Sequence, residues 1–245
     1  EIPKRDWSSD VCSSDLSYFG VDAANTETIF RDYLPRILDA IEKGVMHMPG
    51  QPAPFNEVTL KVSSVQRPYP RVWYGVHTPE SADRAARRGW HTVNLDKDFE
   101  ARECNETFRR VWREARPNEK LPLMGLGRFI VVGDTDAEAL AIARRAYPHW
   151  LAGFTHLFRL LGHRVQRHPR PDTWDELHEQ GKGIAGSPAT VTAFLKKQLT
   201  HAQCNYCVGQ FAFGDQSLAE LTKSVTMFSE RVMPELRGLD VLAGA

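Results

Sequence analysis

The strongest constraint on this chain is an alternation that starts near residue 71 and runs to the C-terminus. Short runs of β-branched and aromatic residues are each followed by longer stretches at helical spacing. Residues 71–76 (RVWYGV), 91–95 (HTVNL), 128–132 (RFIVV) and 205–211 (NYCVGQF) read as strands. The first, bounded by Pro70, suits a buried parallel strand. The intervening helices show apolar faces: Phe108, Val111 and Trp112 within 99–116, and Ala139, Leu140, Ala143, Ala146 and Tyr147 before residue 148. Residues 149–162 read as a second apolar helix. Val191, Phe194, Leu195 and Leu199 follow Ser187-Pro188, and Leu218, Leu221, Val225, Phe228 and Val232 lie within 215–233. Alternating strands and helices are the pattern of a parallel α/β fold. A closed eight-stranded barrel takes about 250 residues, often more, and the four strand–helix units read here supply half of one.

Upstream, residues 25–43 read as a helix with Ile29, Tyr33, Ile37 and Ile41 on its buried face. Asn25 or Thr26 caps it, Gly44 stops it, and Pro35 is expected to kink or split it. Residues 45–70 are proline-rich and irregular, apart from a short strand at 58–62 (VTLKV). Residues 162–186 are rich in His and Pro with interleaved basic charges. They read as a solvated loop over the barrel mouth, with one helical turn at 174–177 and mobility in the absence of ligand. Gly125 reads as a loop glycine ahead of 128–132.

The turn after the first strand carries chemistry. In His77-Thr78-Pro79-Glu80-Ser81, Thr78 is a good helix N-cap, Pro79 fits the first helical position, and Ser81 falls at the third. Gly89 ends the helix. Such a start offers unpaired N–H groups, two hydroxyls and the positive end of a helix dipole, which suits a phosphate group. It is equally the start of an ordinary capped helix. Cys204-Asn205-Tyr206-Cys207 has C-x-x-C spacing but lies in a β-pattern, with no further zinc ligands nearby, and reads as structural. No nucleophile elbow, Walker loop, H-E-x-x-H or G-x-G-x-x-G occurs.

With 245 residues the chain can bury a full core. Its formal net charge of +0 gives no support for nucleic-acid binding, and no apolar run approaches membrane-spanning length. Four cysteines in so long a chain suit a reducing, cytoplasmic compartment. Residues 6–16 (DWSSDVCSSDL) have no periodicity and are identical to a translation of a common short-read sequencing adapter. Residues 1–16 are therefore read as a non-native tail, residues 17–245 as a partial barrel domain, and the native chain before Ser17 as missing.

From Ser17 to Leu239 the chain resembles the bacterial luciferase-like flavin-dependent monooxygenases. The resemblance rests on FGVDAANTETIF at 19–30, the strand–turn–helix ending in Ala85-Ala86-Arg87-Arg88-Gly89, VVGDTDAEALAIAR at 131–144, Gly186-Ser187-Pro188, and SERVMPEL at 229–236. Glu27 stands where the family usually has arginine. The resemblance implies a (β/α)8 TIM barrel, present here as roughly its C-terminal half. It also implies reduced FMN supplied by a separate reductase, O2, a small organic substrate, and a dimer when full-length. Thr78 and Ser81 are carried over as ligands of the flavin phosphate. His77 occupies a turn position that is acidic in some members and joins them as a cofactor-binding residue. The family's catalytic histidine lies on strands absent here, so no catalytic residue is assigned and the chain by itself is expected to be inactive. A deazaflavin-dependent oxidoreductase and a non-catalytic barrel subunit remain as alternative readings.

Overall fold

The computed structural model describes residues 16, 19–160 and 170–242. Of the adapter-like tail, only Leu16 falls among them. The described residues form two compact units that divide between Val72 and Trp73.

The smaller unit holds helix α1 (Thr26–Lys43) and two short strands, β1 (Val45–His47) and β2 (Glu57–Thr59). Gly44 closes α1 in the left-handed conformation (φ 79), where a residue without Cβ is unstrained. The helix runs unbroken through Pro35, so the lost hydrogen bond is absorbed without a split. β1 pairs antiparallel with β2, Met46 opposite Val58. The expected irregular stretch thus contributes a strand, and VTLKV contributes only its first two residues. Ile29, Tyr33 and Ile37 are 42%, 45% and 43% exposed, so this face of α1 is not buried as expected. Within its unit α1 packs on β1, and a three-residue strand is too small to cover an 18-residue helix.

The larger unit runs β3 (Trp73–Gly75), α2 (Pro79–Arg88), β4 (His91–Asn94), α3 (Asp98–Ala115), β5 (Met124–Val132), α4 (Asp136–Phe154) and α5 (His156–Leu160). It continues with α6 (Trp174–Glu179), β6 (Gly183–Gly186), α7 (Pro188–Ala202), β7 (Tyr206–Gln210), α8 (Leu218–Met227), a π-helical turn (Phe228–Val232) and α9 (Met233–Leu236). Every strand pairing in this unit is parallel. The sheet has five strands, not the four expected. It runs β3-β4-β5-β6, and β7 also pairs with β5. The first half of β5 registers against β4 (Leu126 opposite Asn94) and β7 (Leu126 opposite Cys207), and its second half against β6 (Ile130 opposite Ile184).

β6 was hidden in the sequence because two of its four residues are glycine. Gly183 is required there: a Cβ would stand 3.0 Å from both Trp174 Cη2 and Leu177 Cδ2. Those two side chains are 2% and 0% exposed, so the described part of the expected loop anchors in the core through them, while Asp175, Glu176, His178 and Glu179 stay exposed. Residues 161–169 of that loop lie outside the described residues. β5 likewise starts earlier than expected, with Gly125 and Gly127 inside it. α4 continues through Pro148 to Phe154, merging what read as two helices. In α8, Leu218 and Val225 are 79% and 41% exposed, whereas Ser224 and Met227 are buried. Val232, in the π-helical turn that follows, is buried as expected.

Four apolar clusters lie among the described residues, the smallest formed by Ala101, Leu126, Leu199, Ala202 and Cys204. Val76, Ala85, Ala86, Phe108, Trp112 and Met124 join β3 and β5 to α2 and α3. Phe129, Val131, Tyr147, Trp174 and Phe213 form an aromatic cluster at α4 and α6. Ile130, Val132, Ile184, Leu195 and Val232 pack under α7 and the C-terminal helices. Neighbouring residues of β5 thus enter different clusters, as both-face burial of a parallel strand requires.

Two outcomes follow for stability. Trp174→Ala should cost about 3–5 kcal/mol in chemical denaturation, the range for truncating a buried Trp; an unchanged midpoint would return residues 170–182 to the status of a loop. Gly214 has φ +63, and a Cβ there would fall 1.9 Å from the Ala146 carbonyl oxygen. Gly214→Ala should therefore lose more than the ~1–2 kcal/mol of left-handed strain alone, read from the same denaturation curves.

Candidate cofactor site

In parallel α/β sheets, ligands gather where strands end and helices begin. After β3 the chain crosses Val76, whose N–H donates to the Val93 carbonyl at 3.0 Å, and turns at His77 into α2. Thr78 is the extended N-cap (φ −139, ψ 157), Pro79 opens the helix and Ser81 sits at the third position. The three sequence-derived residues thus share one turn.

Its hydrogen bonds are reciprocal. The Ser81 N–H donates to Thr78 Oγ1 at 3.3 Å, while Ser81 Oγ accepts from the Thr78 N–H at 3.2 Å and the His77 N–H at 3.3 Å. Ser81 Oγ also donates to the Thr78 carbonyl at 2.7 Å. Ser81 is 0% exposed, so its hydroxyl proton is used within the turn and the residue builds the turn's shape. Thr78 is half-buried. Pro79 has no N–H, and the Glu80 N–H lies in the first turn, where helical N–H groups have no intrahelical partner. One hydroxyl, one backbone N–H and the helix dipole are donors of the kind a phosphate monoester takes. The helix start is of the kind that takes a flavin phosphate, and Ser81 holds its shape.

His77 is fixed by a partner the sequence reading did not name. Its Nδ1 lies 2.5 Å from Asp96 Oδ2, with the two side chains 12% and 3% exposed. Asp96 follows β4 as His77 follows β3, and the parallel register of Gly75 with Val93 brings the two strand ends together. Asn94 Oδ1 accepts from the Asp96 N–H at 2.7 Å and holds that corner. Asn94 Nδ2 is buried and has no hydrogen-bond partner among the described residues. The only sequence signal for Asp96 is an acid directly after an apolar strand, and it becomes informative only with the register.

Charge accumulates behind this corner. Arg128 on β5 is 2% exposed. Its Nε and Nη2 donate to Gln198 Oε1 at 3.2 and 2.8 Å, and its Nη1 donates to the Gly127 carbonyl at 2.7 Å. Burial pulls the guanidinium down to about 10, opposed by the charges of Asp98 and Asp96 among others. Lys182 is also buried and lowered by desolvation, with Asp96 and Glu100 acting in the opposite direction.

Cys104, Cys204 and Cys207 are free thiols. Burial raises Cys204 to about 12 and Cys207 to about 11, which leaves both protonated and unreactive at neutral pH, in keeping with a structural C-x-x-C. Among the described residues no three His, Cys, Asp or Glu side chains are grouped to hold a metal ion. Among the same residues no helix is long and apolar enough to cross a membrane.

Comparison with known proteins agrees with this architecture. A curated relative, the uncharacterized protein y4wF of Sinorhizobium fredii (strain NBRC 101917 / NGR234), is 31% identical over 219 residues, covering 88% of this chain and 64% of its own length. The chain thus spans less than two thirds of that relative. The monooxygenase RslO1 from Streptomyces bottropensis superposes with a TM-score of 0.69 at 18% identity, covering 94% of this chain and 66% of that one. The oxygenating constituent of 3,6-diketocamphane monooxygenase from the CAM plasmid of Pseudomonas putida, a Type II Baeyer-Villiger enzyme solved with FMN, gives 0.63 at 16% identity, covering 91% and 68%. The coenzyme F420-dependent tetrahydromethanopterin reductase from Methanopyrus kandleri gives 0.54 at 14%, covering 85% and 63%. These likenesses show the fold, a parallel α/β arrangement of the luciferase-like barrel type. A family profile described as luciferase-like monooxygenase matches residues 13–205, and the chain belongs to that family.

Proposed function

We propose that this chain carries the phosphate-binding portion of a flavin-dependent monooxygenase that uses reduced FMN and O2 on a small organic substrate. The observation that carries this reading is the Thr78–Ser81 capped turn at the end of β3, in a chain of this family. Thr78 Oγ1 and the Glu80 N–H face the phosphate, Ser81 holds the turn, and His77 borders the site. When bound, the flavin supplies two-electron chemistry with O2; the protein binds, orients and excludes water. The chain spans 64% of the length of its relative, so substrate oxygenation, a separate flavin reductase and dimerisation are proposed for the full-length protein. Three buried or half-buried free thiols favour a reducing, cytoplasmic setting.

Thr78→Val removes one hydrogen bond to a charged group, about 1.5–3 kcal/mol. FMN affinity, followed by quenching of flavin fluorescence, should fall roughly ten- to hundredfold, with riboflavin barely affected. Ser81→Ala should weaken FMN binding and also lower the stability of α2, because the buried hydroxyl satisfies three backbone groups of the turn. An equal loss of riboflavin and FMN affinity would refute the phosphate assignment.

The deazaflavin reading has support of its own in the F420-dependent neighbour. Titration of FMN against F420 separates the two: tight FMN binding and oxygen-dependent oxidation of the reduced cofactor are expected. Selective F420 binding with no effect of oxygen would transfer the chain to the second reading. Retention of neither cofactor by the full-length protein would favour a non-catalytic subunit.

A further inference from the structure

The basic stretch ahead of β6 carries positive charge that the flavin turn does not use. Between Glu138 and Asp172 the sequence has six arginines and four histidines and no Asp or Glu. Arg144 and Arg145 are paired with Asp175, Asp215 and Glu220 from other segments. Arg170 has no ion pair among the described residues. Its Nε is buried with no hydrogen-bond partner among them, and its guanidinium carbon lies 5.9 Å from the centre of the Phe154 ring. The next residue fixes its place, since Tyr147 Oη donates to the Pro171 carbonyl at 2.8 Å.

Lys182 is a second such cation. It is 8% exposed, and its ammonium has no ion pair or hydrogen bond among the described residues. Only its backbone is tied: its N–H donates to the Leu177 carbonyl at 3.0 Å, and its carbonyl accepts from the Phe129 N–H at 3.1 Å. Burial pulls the ammonium down, and the charge of Arg170 acts next, ahead of Asp96, Glu100 and Arg128. Two cations thus repel each other with no carboxylate in contact with either among the described residues, which is costly in a partly buried place. An aromatic strip runs between them. The Phe129 ring lies 4.7 Å from Trp150, and Trp150 lies 4.9 Å from Phe154, centroid to centroid. Trp150 and Phe154 are half-buried, so the strip keeps apolar surface open. Trp174, four residues after Arg170 and 2% exposed, holds a further buried donor, Nε1, with no partner among the described residues. Unmatched donors beside an open aromatic face are the surroundings of an organic anion.

We propose that Arg170 and Lys182 form a binding site for a small organic acid, its carboxylate between the two cations and its apolar body on Trp150 and Phe154. Binding at this site needs no flavin. Joined to the proposed function, it makes the substrate an organic acid, and that last step alone rests on the flavin reading.

The test uses the 245-residue chain without flavin, with benzoate as the probe and benzamide as its neutral counterpart. Calorimetry and the indole N–H signals in NMR should show benzoate binding, with benzamide at least about tenfold weaker. Arg170→Gln and Lys182→Met should each lower benzoate affinity about ten- to hundredfold, the effect of losing a hydrogen bond to a charged group, and leave benzamide unchanged. Lys182→Met should also hold or raise the thermal midpoint, because an apolar chain replaces a buried, unpaired ammonium. Should it fail to fold, the more exposed Arg170→Gln carries the same comparison. No benzoate binding, equal affinity for benzoate and benzamide, or wild-type benzoate affinity in the variants overturns the site. Inorganic phosphate that displaces benzoate at equal concentration overturns the organic class of ligand. Failure to bind FMN would refute the flavin reading and leave benzoate binding untouched, so the two fail separately.

Discussion

Strand β5 is the constraint on which the larger unit depends. All nine of its residues are buried, so all of its backbone polar groups need partners inside the protein. Three other strands supply most of them. Side chains complete the ends: Asn205 Oδ1 accepts from the Met124 N–H at 2.6 Å, and Ser224 Oγ accepts from the Val132 N–H at 2.8 Å. A slip of one residue would exchange the faces of Phe129 and Ile130 and break both clamps at once. The register of β4 on β5, and through it the place of Asp96, inherits this rigidity.

The same strand holds a charge where none would be expected. Among the described residues Arg128 is held by an amide and a peptide carbonyl, with no carboxylate in direct contact. Its hydrogen bonds offset part of the desolvation. Gln198 passes the interaction on: its Nε2 donates to Asp98 Oδ2 at 3.3 Å, and the same oxygen lies 2.9 Å from His201 Nδ1. A chain of polar contacts thereby links β5, α3 and α7 just behind the corner of Asp96. This stiffens that corner of the sheet.

How legible each part was in the sequence depended on whether its cause was local. The α2 start and stop could be read because Thr78, Pro79, Ser81 and Gly89 act on their own backbone. The strand–helix alternation and the family resemblance could be read because apolar spacing survives in any context. β6 could not, since Gly183 owes its place to Trp174 and Leu177, nine and six residues away in sequence, and Gly186 to Thr190 and Asp136. The helix faces at Tyr33 and Val225 were misjudged because spacing states which residues share a face, not whether anything covers it. Asp96 stayed invisible for a related reason: its meaning comes from His77 across a strand pair.

On one face of β5, Gly125 and Gly127 present no side chain. Val208, Trp73 and Leu95, carried by or next to other strands, crowd that space: a Cβ at Gly125 would meet Val208 at 3.0 Å and Trp73 at 3.4 Å, and one at Gly127 would meet Leu95 at 2.2 Å. The relief of this surface is therefore cut by residues that do not belong to the strand holding the sheet together. Trp73 and Leu95 are themselves 41% and 40% exposed, so their size can change at small cost to the core. Substitutions there can reshape this face while β5 keeps its sequence, which separates changes in surface relief from changes in stability.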